Sequence, residues 1–399
     1  MNVVQKYGGN CLDSMSKIRT AAKFTAANWK SGDGLVIVTS AMGQTAVELV
    51  NAAKDAGDKI SRQALESLLS TGAQKVAAIL AIALENEGVP AVSLTDGLFT
   101  ENKDEYIEVR QLNTQRLEQF LAEGKVVVVS GFQGLEQYAD IADLGRGGSD
   151  ATAVAIAAQL GWDCEIYTDV EGLYTTDPAL YPKARKISKV THEEVMELSF
   201  LGRGLLEARS VEIAKKYDVN LFIGKAFEND KNRGTYIMNI DTMYLQDTPI
   251  TGISIAENCT IFSLSNMDND GVLVAKLFQV LADLNINVDM ISKQFTADGK
   301  CTVAFSCTDK QAEALDKALA ENEALQGIAV AHQPNLVMLS LVGVGMASAT
   351  GVASKVFSVL AAENIPYYQI TTSEISISLT VKLEDKVKAL IALSEAFGL

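Results

Sequence analysis

The sequence predicts an α/β protein in two parts. A mainly parallel sheet with helices on both faces comes first, and a tandem pair of βαββαβ modules follows. Three observations predict this. Short apolar runs in the first half alternate with helical stretches, and several of these runs end in glycine- or serine-rich turns. Beyond Ile250 the pattern changes, and one order of strands and helices occurs twice. The chain has 399 residues, 48% hydrophobic and 21% charged, which suits two or three packed domains.

Val3–Lys6 reads as a short buried strand, Tyr7-Gly8-Gly9-Asn10-Cys11 as its turn, and Ser14–Lys30 as a helix with apolar positions at helical spacing. Leu35–Thr39 is a second strand. Ser40-Ala41-Met42-Gly43-Gln44-Thr45 is a second small-residue turn, ahead of a helix over Val47–Lys54. Ligands of such sheets sit at the carboxyl ends of the strands, where these turns lie. Ala64–Leu84 reads as a helix, Val89–Leu94 as a strand, Thr114–Glu123 as a helix and Lys125–Ser130 as a strand. Glu165–Asp169 is another strand. Glu193–Leu201 and Ser210–Lys216 read as helices, and Leu221–Lys225 as the last strand of the first part. Phe227–Thr235, polar with one glycine, reads as a loop near a domain boundary.

Chemistry is expected at Leu144-Gly145-Arg146-Gly147-Gly148-Ser149-Asp150-Ala151-Thr152, between the Lys125–Ser130 strand and a helix over Ala153–Leu160. Strand, glycine-rich turn and helix start together turn backbone N–H groups and a helix dipole toward an anion. Arg146 adds a planar fork for a carboxylate or phosphate. Ser149 and Asp150 fall where an N-cap would fall, so a plain helix cap is the simpler alternative.

The net charge of −16 speaks against nucleic acid as a partner, because phosphate backbones need a basic face. In so acidic a chain an anion site must concentrate positive charge locally, which singles out Lys6 and Arg146. The basic run Lys183–Lys186 is as readily a solvated face as a phosphate contact. Five scattered cysteines without zinc spacing suggest a reduced protein, and two distant histidines speak against a histidine triad or histidine metal site. No signal-peptide pattern or apolar run of membrane-spanning length is apparent, so a cytoplasmic location is expected, with no membrane partner.

In the second part, strands are expected at Thr260–Leu264, Val288–Lys293 and Cys301–Cys307, with helices at Val272–Leu284 and Asp309–Glu321. Val337–Val342, Gly351–Glu363, Tyr367–Ile370, Ile375–Leu379 and Glu384–Ala396 then repeat that order.

The chain resembles the monofunctional aspartate kinases over nearly its whole length. The resemblance is carried by Lys6-Tyr7-Gly8-Gly9, Ser40-Ala41-Met42-Gly43, Ser130-Gly131-Phe132-Gln133-Gly134, Leu144–Thr152, Tyr167–Pro178, Arg209-Ser210-Val211-Glu212 and Thr372–Ser378. It implies an amino-acid kinase domain over 1–245, a three-layer αβα sandwich, then two ACT modules over 246–399. The first would cover about 260–330, and the second 250–258 plus 335–399. The implied reaction is ATP- and Mg²⁺-dependent phosphorylation of the aspartate side chain, the first step toward lysine, threonine and methionine. By the same resemblance Lys6 and Asp150 are catalytic, while Thr45, Arg146, Gly148 and Ser149 bind the amino acid. Lys6, Gly8, Gly9, Ser40, Thr168, Asp169, Tyr174 and Lys186 bind the nucleotide. Lysine or threonine would bind as an effector at Asp268, Asp289, Gln294, Ser373 and Glu374, in a homodimer joined through its ACT modules. No metal-ligating side chains are implied.

Four sites depart from the family pattern. Asn10-Cys11 stand for Thr-Ser, Ala73 for a glutamate facing the substrate amine, Gly204 for a phosphate lysine and Ala179 for an arginine. Met267–Gly271 replaces a proline-glycine turn in the first module. The alternatives these positions raise are a catalytically impaired regulatory paralogue and a kinase of another small carboxylate.

Overall fold

The structure is a computed structural model, and it describes residues 2–95, 112–131, 133–135, 141–143, 148–200, 206–230, 234–239, 248–269, 271–297 and 299–399. The chain divides into two compact units. One gathers Met1–Leu173, Lys186–Ser199 and Gly204–Asp241, the other Tyr174–Arg185, Phe200–Arg203 and Thr242–Leu399.

The first unit opens with β1 (Asn2–Tyr7), α1 (Met15–Asn28), β2 (Gly34–Thr39), α2 (Thr45–Ala56), α3 (Arg62–Asn86) and β3 (Ala91–Leu94). It continues with α4 (Gln115–Ala122), β4 (Val126–Ser130), β5 (Gln133–Leu135), β6 (Ile141–Asp143), α5 (Gly148–Leu160) and β7 (Asp163–Thr168). After these come β8 (Lys189–Val190), α6 (His192–Phe200), α7 (Ala208–Tyr217), β9 (Leu221–Lys225) and β10 (Thr235–Ile237). Eight strands form one sheet in the order β3-β4-β2-β1-β7-β9-β10-β8, parallel except where β10 runs against β9.

Alternation along the strands serves two cores. Val36, Val38, Val127 and Val129 face α5 and α7, while Leu35, Ile37, Val126 and Val128 face α1 and α3. Both faces are therefore dry, as a parallel sheet requires. Helix α5 buries all of Ala151–Ala157, and its alanines let it lie close to the strands.

Several expectations are corrected here. β9 does not end the sheet, because β10 follows it at Thr235–Ile237 and pairs with both β9 and β8. The paired strands β5 and β6 lie between β4 and α5, in a stretch for which the sequence predicts no element. Helix α5 begins at Gly148, so Ser149 and Asp150 sit inside its first turn rather than at a cap. Contrary to expectation, one stretch, Gln63–Asn86 of α3, is long and apolar enough to cross a membrane by length and composition. Its apolar side is taken up by the core instead, through Val76, Ala77, Leu80 and Leu84.

The second unit contains β11 (Gly252–Asp268), α8 (Gly271–Asp283), β12 (Ile291–Phe295), β13 (Lys300–Thr308), α9 (Asp309–Glu321) and β14 (Ala329–Val342). Helix α10 (Val352–Ala362), β15 (Tyr367–Thr372), β16 (Ser376–Lys382) and α11 (Lys386–Phe397) complete it. One antiparallel sheet runs β12-β13-β11-β14-β16-β15. The expected strand at Thr260–Leu264 is part of the unbroken β11, whose first half pairs Gly252–Ala256 with Met338–Val342. Its second half pairs Cys259–Leu264 with β13 and Ile261–Ser265 with Ala329–Gln333. Two βαββαβ modules thus share two long strands, and the first is inserted into the second. Both strands bend at an asparagine in the left-handed region, Asn258 (φ 61) and Asn335 (φ 58), where the short polar side chain tolerates that backbone. β12 begins at Ile291, later than the expected Val288, because Val288–Met290 precede the ladder with β13.

The second unit also takes in Tyr174–Arg185. Thr175 O accepts from Ile253 N–H at 2.7 Å, Lys183 pairs with Glu395 at 3.1 Å, and Leu180 packs on the α10–α11 core.

Candidate active site

Alternation along β1 points its side chains to two different layers. Val4 faces the α5 side, and Lys6, two residues on, faces the same way. There the first turn of α5 begins, and Lys6 Nζ lies 2.6 Å from Asp150 Oδ1. Both are almost fully buried, at 8% and 6% exposure. The two approach as an ion pair, and Oδ1 lacks an aligned hydrogen bond from any described residue. Burying a charge pair is costly, so its presence here marks a place where fixed charge is used.

Around the pair the backbone is drawn in. Gly131 N–H donates to Thr39 O at 2.9 Å, and a Cβ at Gly131 would stand 2.7 Å from Ser149 Cβ. A Cβ at Gly9 would meet Ala41 O at 2.8 Å, so this turn also requires glycine. Ser40 Oγ donates to Ser149 Oγ at 2.9 Å and joins the β2 turn to α5. Thr45 opens α2, and the α3 residue Gly72 packs close to it. The first-turn N–H groups of α5 have no partner within the helix. Together with Lys6 they give a site for an anion at the carboxyl ends of β1, β2 and β4.

The opposite face of β1 holds a second polar group. Gln5 Nε2 donates to Glu165 Oε2 at 2.9 Å, Tyr167 OH donates to the same oxygen at 2.8 Å, and Tyr7 stacks on Tyr167 with centroids 5.1 Å apart. Burial beside Glu165 pushes the Tyr7 and Tyr167 phenols up, so they remain protonated donors. This network braces β1 against β7 from behind.

Of the expected site residues, the structure brings together Lys6, Gly8, Gly9, Ser40, Ser149 and Asp150. Gly148 is the first residue of α5, and Thr45 lies across the α2–α3 contact. Thr168 ends β7, and its hydroxyl shapes the following turn by donating to Val170 O at 3.1 Å. Asp169 follows and accepts from Asn10 Nδ2 at 3.1 Å. Lys186 belongs to the first unit and Tyr174 to the second. Arg146 and Gly204 lie outside the described residues. Ala73 is buried at 3% on α3 and brings no charge there. The motif alone gives no sign that Gly131 packs on Ser149, and the Asn10-Cys11 departure gives no sign that both side chains make contacts with the end of β7.

In the second unit, register sets Asp268 opposite Lys300 and Gln294 opposite Thr302, both on β13. Asp268 forms an ion pair with Lys300. Ser373 closes the β15–β16 turn, accepting from Ile375 and Ser376 N–H at 3.3 and 3.0 Å. Asp289 and Glu374 are exposed.

Known proteins share this architecture. The amino acid kinase family profile matches residues 1–225, and an ACT domain profile matches 339–397. The aspartokinase of Geobacillus stearothermophilus is 39% identical over 401 residues, covering 100% of this chain and 97% of that protein. Aspartokinase 2 of Bacillus subtilis is 39% identical over 402 residues, covering 100% and 98%. Among solved structures, E. coli aspartokinase III in complex with aspartate and ADP superposes with a TM-score of 0.81 at 22% identity over 100% of both chains, which is a likeness of fold. The profile match over more than half the chain and the end-to-end identity agree: this chain belongs to the amino acid kinase family and, within it, to the aspartokinases.

Proposed function

We propose that the chain transfers the γ-phosphoryl group of ATP to the side-chain carboxylate of L-aspartate, forming 4-phospho-L-aspartate and ADP. One observation carries the reading: the buried Lys6–Asp150 pair at the start of α5, in a chain that aligns with aspartokinases end to end. Phosphoryl transfer consists mostly of positioning and charge neutralisation. The aspartate carboxylate oxygen attacks the γ-phosphorus as the bond to the ADP oxygen breaks. Lys6 neutralises the phosphate oxygens, and Asp150 holds its ammonium until they arrive. Gly8, Gly9 and Ser40 let backbone approach the phosphates, and Thr168, Asp169, Tyr174 and Lys186 line the nucleotide. Arg146, Thr45, Gly148 and Ser149 hold aspartate.

The residues fit a magnesium nucleotide. Lys6 and Asp150 stand together at the start of α5, an ammonium for phosphate oxygens beside a carboxylate, and Mg²⁺ would be held mainly by the phosphates and by water.

Regulation belongs to the same proposal. Lysine or threonine binds the ACT modules (246–399, after a kinase domain of 1–245) at Asp268, Asp289, Gln294, Ser373 and Glu374, and the modules join two copies. Five free cysteines suit a cytoplasmic location, and the enzyme opens the route to lysine, threonine and methionine. An ADP-release assay with aspartate and a panel of other small carboxylates tests the function. Aspartate should give the highest kcat/KM. A higher value with an acid lacking the α-amine, in keeping with Ala73, would overturn the substrate, and silence with every acid would overturn the activity.

A further inference from the structure

The turn after β1 is tied to the end of β7 at three points. Gly8 N–H donates to Tyr167 O at 3.1 Å, the Cys11 thiol donates to the same carbonyl at 3.4 Å, and Asn10 Nδ2 donates to Asp169 Oδ2 at 3.1 Å. Two of the three ties are side chains, and these are the two residues where the turn departs from the family pattern. Asn10 is itself held, since its carbonyl accepts from Lys17 Nζ at 2.8 Å, and Asp13 braces Lys17 at 2.6 Å.

We propose that Asn10 is a positioning residue for the nucleotide, its carboxamide fixing the Asp169 carboxylate in the orientation that meets the ligand. This rests on the reading of Asp169 as a nucleotide contact. Asp169 is exposed, and an exposed carboxylate samples several rotamers. One oriented bond at Oδ2 removes that freedom before binding and leaves Oδ1 for the ligand. A carboxamide suits the task because it donates without adding negative charge beside phosphates. Cys11 serves the same end by a different route. Burial pushes its thiol up to about 11, so it stays a neutral donor that locks the turn.

The test is steady-state kinetics on the full chain, with Kd for MgADP as a second readout. Asn10→Ala should raise KM for ATP about three- to tenfold, the loss of one hydrogen bond, and leave KM for aspartate unchanged. Asp169→Ala should raise it at least as much, and the double variant should be no worse than Asp169→Ala alone. Asn10→Asp removes the donor and sets a second carboxylate against Asp169, so it should raise KM for ATP at least as much as Asn10→Ala. Asn10→Ser keeps a donor at that place and supplies the rescue, restoring part of the ATP affinity. Neither change should matter in the Asp169→Ala background. If Asp169→Ala leaves ATP binding unchanged, the nucleotide reading of Asp169 fails and the proposal falls with it. If Asp169→Ala weakens ATP but Asn10→Ala does not, or acts equally in both backgrounds, only the positioning role is overturned.

Discussion

The two units bury different kinds of polar group. The kinase unit buries Lys6, Glu66, Asp150, Glu165, His192 and Glu194, whereas the second unit, among the described residues, buries hydroxyls and the amide of Gln369 but no charged side chain. Burying charge is expensive even when it is paired, so a fold keeps it where geometry must be held or chemistry done. Hydroxyls cost less to bury, and some pair with one another, as Ser378 does in donating to Ser340 at 2.7 Å. The kinase unit thus spends stability on fixed electrostatics. The ACT unit is assembled from apolar packing and weak polar contacts, which suits a part that responds to a bound effector.

The largest expected effect lies in the kinase unit. Lys6→Met should lower kcat by about 10²–10³-fold, the usual loss on removing one preorganised charge. It should also destabilise the unit by about 3–5 kcal/mol, because Asp150 is left buried without its partner. Adding Asp150→Asn should recover much of the melting temperature and none of the turnover. Recovery of turnover would break the contrast.

A smaller effect is expected in the ACT sheet. Ser340→Ala or Ser378→Ala should each cost about 1 kcal/mol in denaturant unfolding, and the pair together less than the sum. A loss as large as that of Lys6→Met would mean that the hydroxyl ladder is as demanding as buried charge.

A third effect is absent at neutral pH, appears only in alkali and touches both units. Burial raises Cys11 and Cys307 from 9.0 to about 11 and Cys259 from 9.0 to about 12. A raised folded value favours the neutral thiol, so this stability is fully present below pH 9.0 and is lost as pH rises through about 11. Alkylation by iodoacetamide should be slow at neutral pH, and both units should weaken together above pH 9.0. Loss of one unit alone would show that the thiols of that unit are differently packed.

The parallel sheet was legible because its strands are short valine- and isoleucine-rich runs followed by turns. β10 was not, since Thr235–Ile237 has three residues and follows a polar stretch, and only pairing with β8 and β9 makes it a strand. β11 was half legible. Glu257-Asn258-Cys259 breaks the apolar pattern locally, yet β13 and β14 pair on either side of that point and carry the strand through. Lys6 and Asp150 were both named, but their contact was not. They lie far apart in sequence, and the register of β1 with the start of α5 joins them. The Gln5–Glu165–Tyr167 brace left no local signal, because polar residues inside apolar runs read as interruptions until partner strands supply their bonds.

The nesting of one module in another has a consequence for how the chain folds. Gly252 pairs with Val342, so the second module cannot form its first ladder until everything between them has been brought to a close. Searching for that contact with an unstructured loop of such length would be slow and entropically expensive. The first module removes the search. Once its own half-strands pair, at Ser265 with Ala329 and Ile261 with Gln333, the two emerging strands are already side by side, and the ladder needs only to zip onward past Asn258 and Asn335. The inserted module is therefore a template for its host, and damage to its core at Phe262 or Phe305 should slow the assembly of a module whose own sequence is intact.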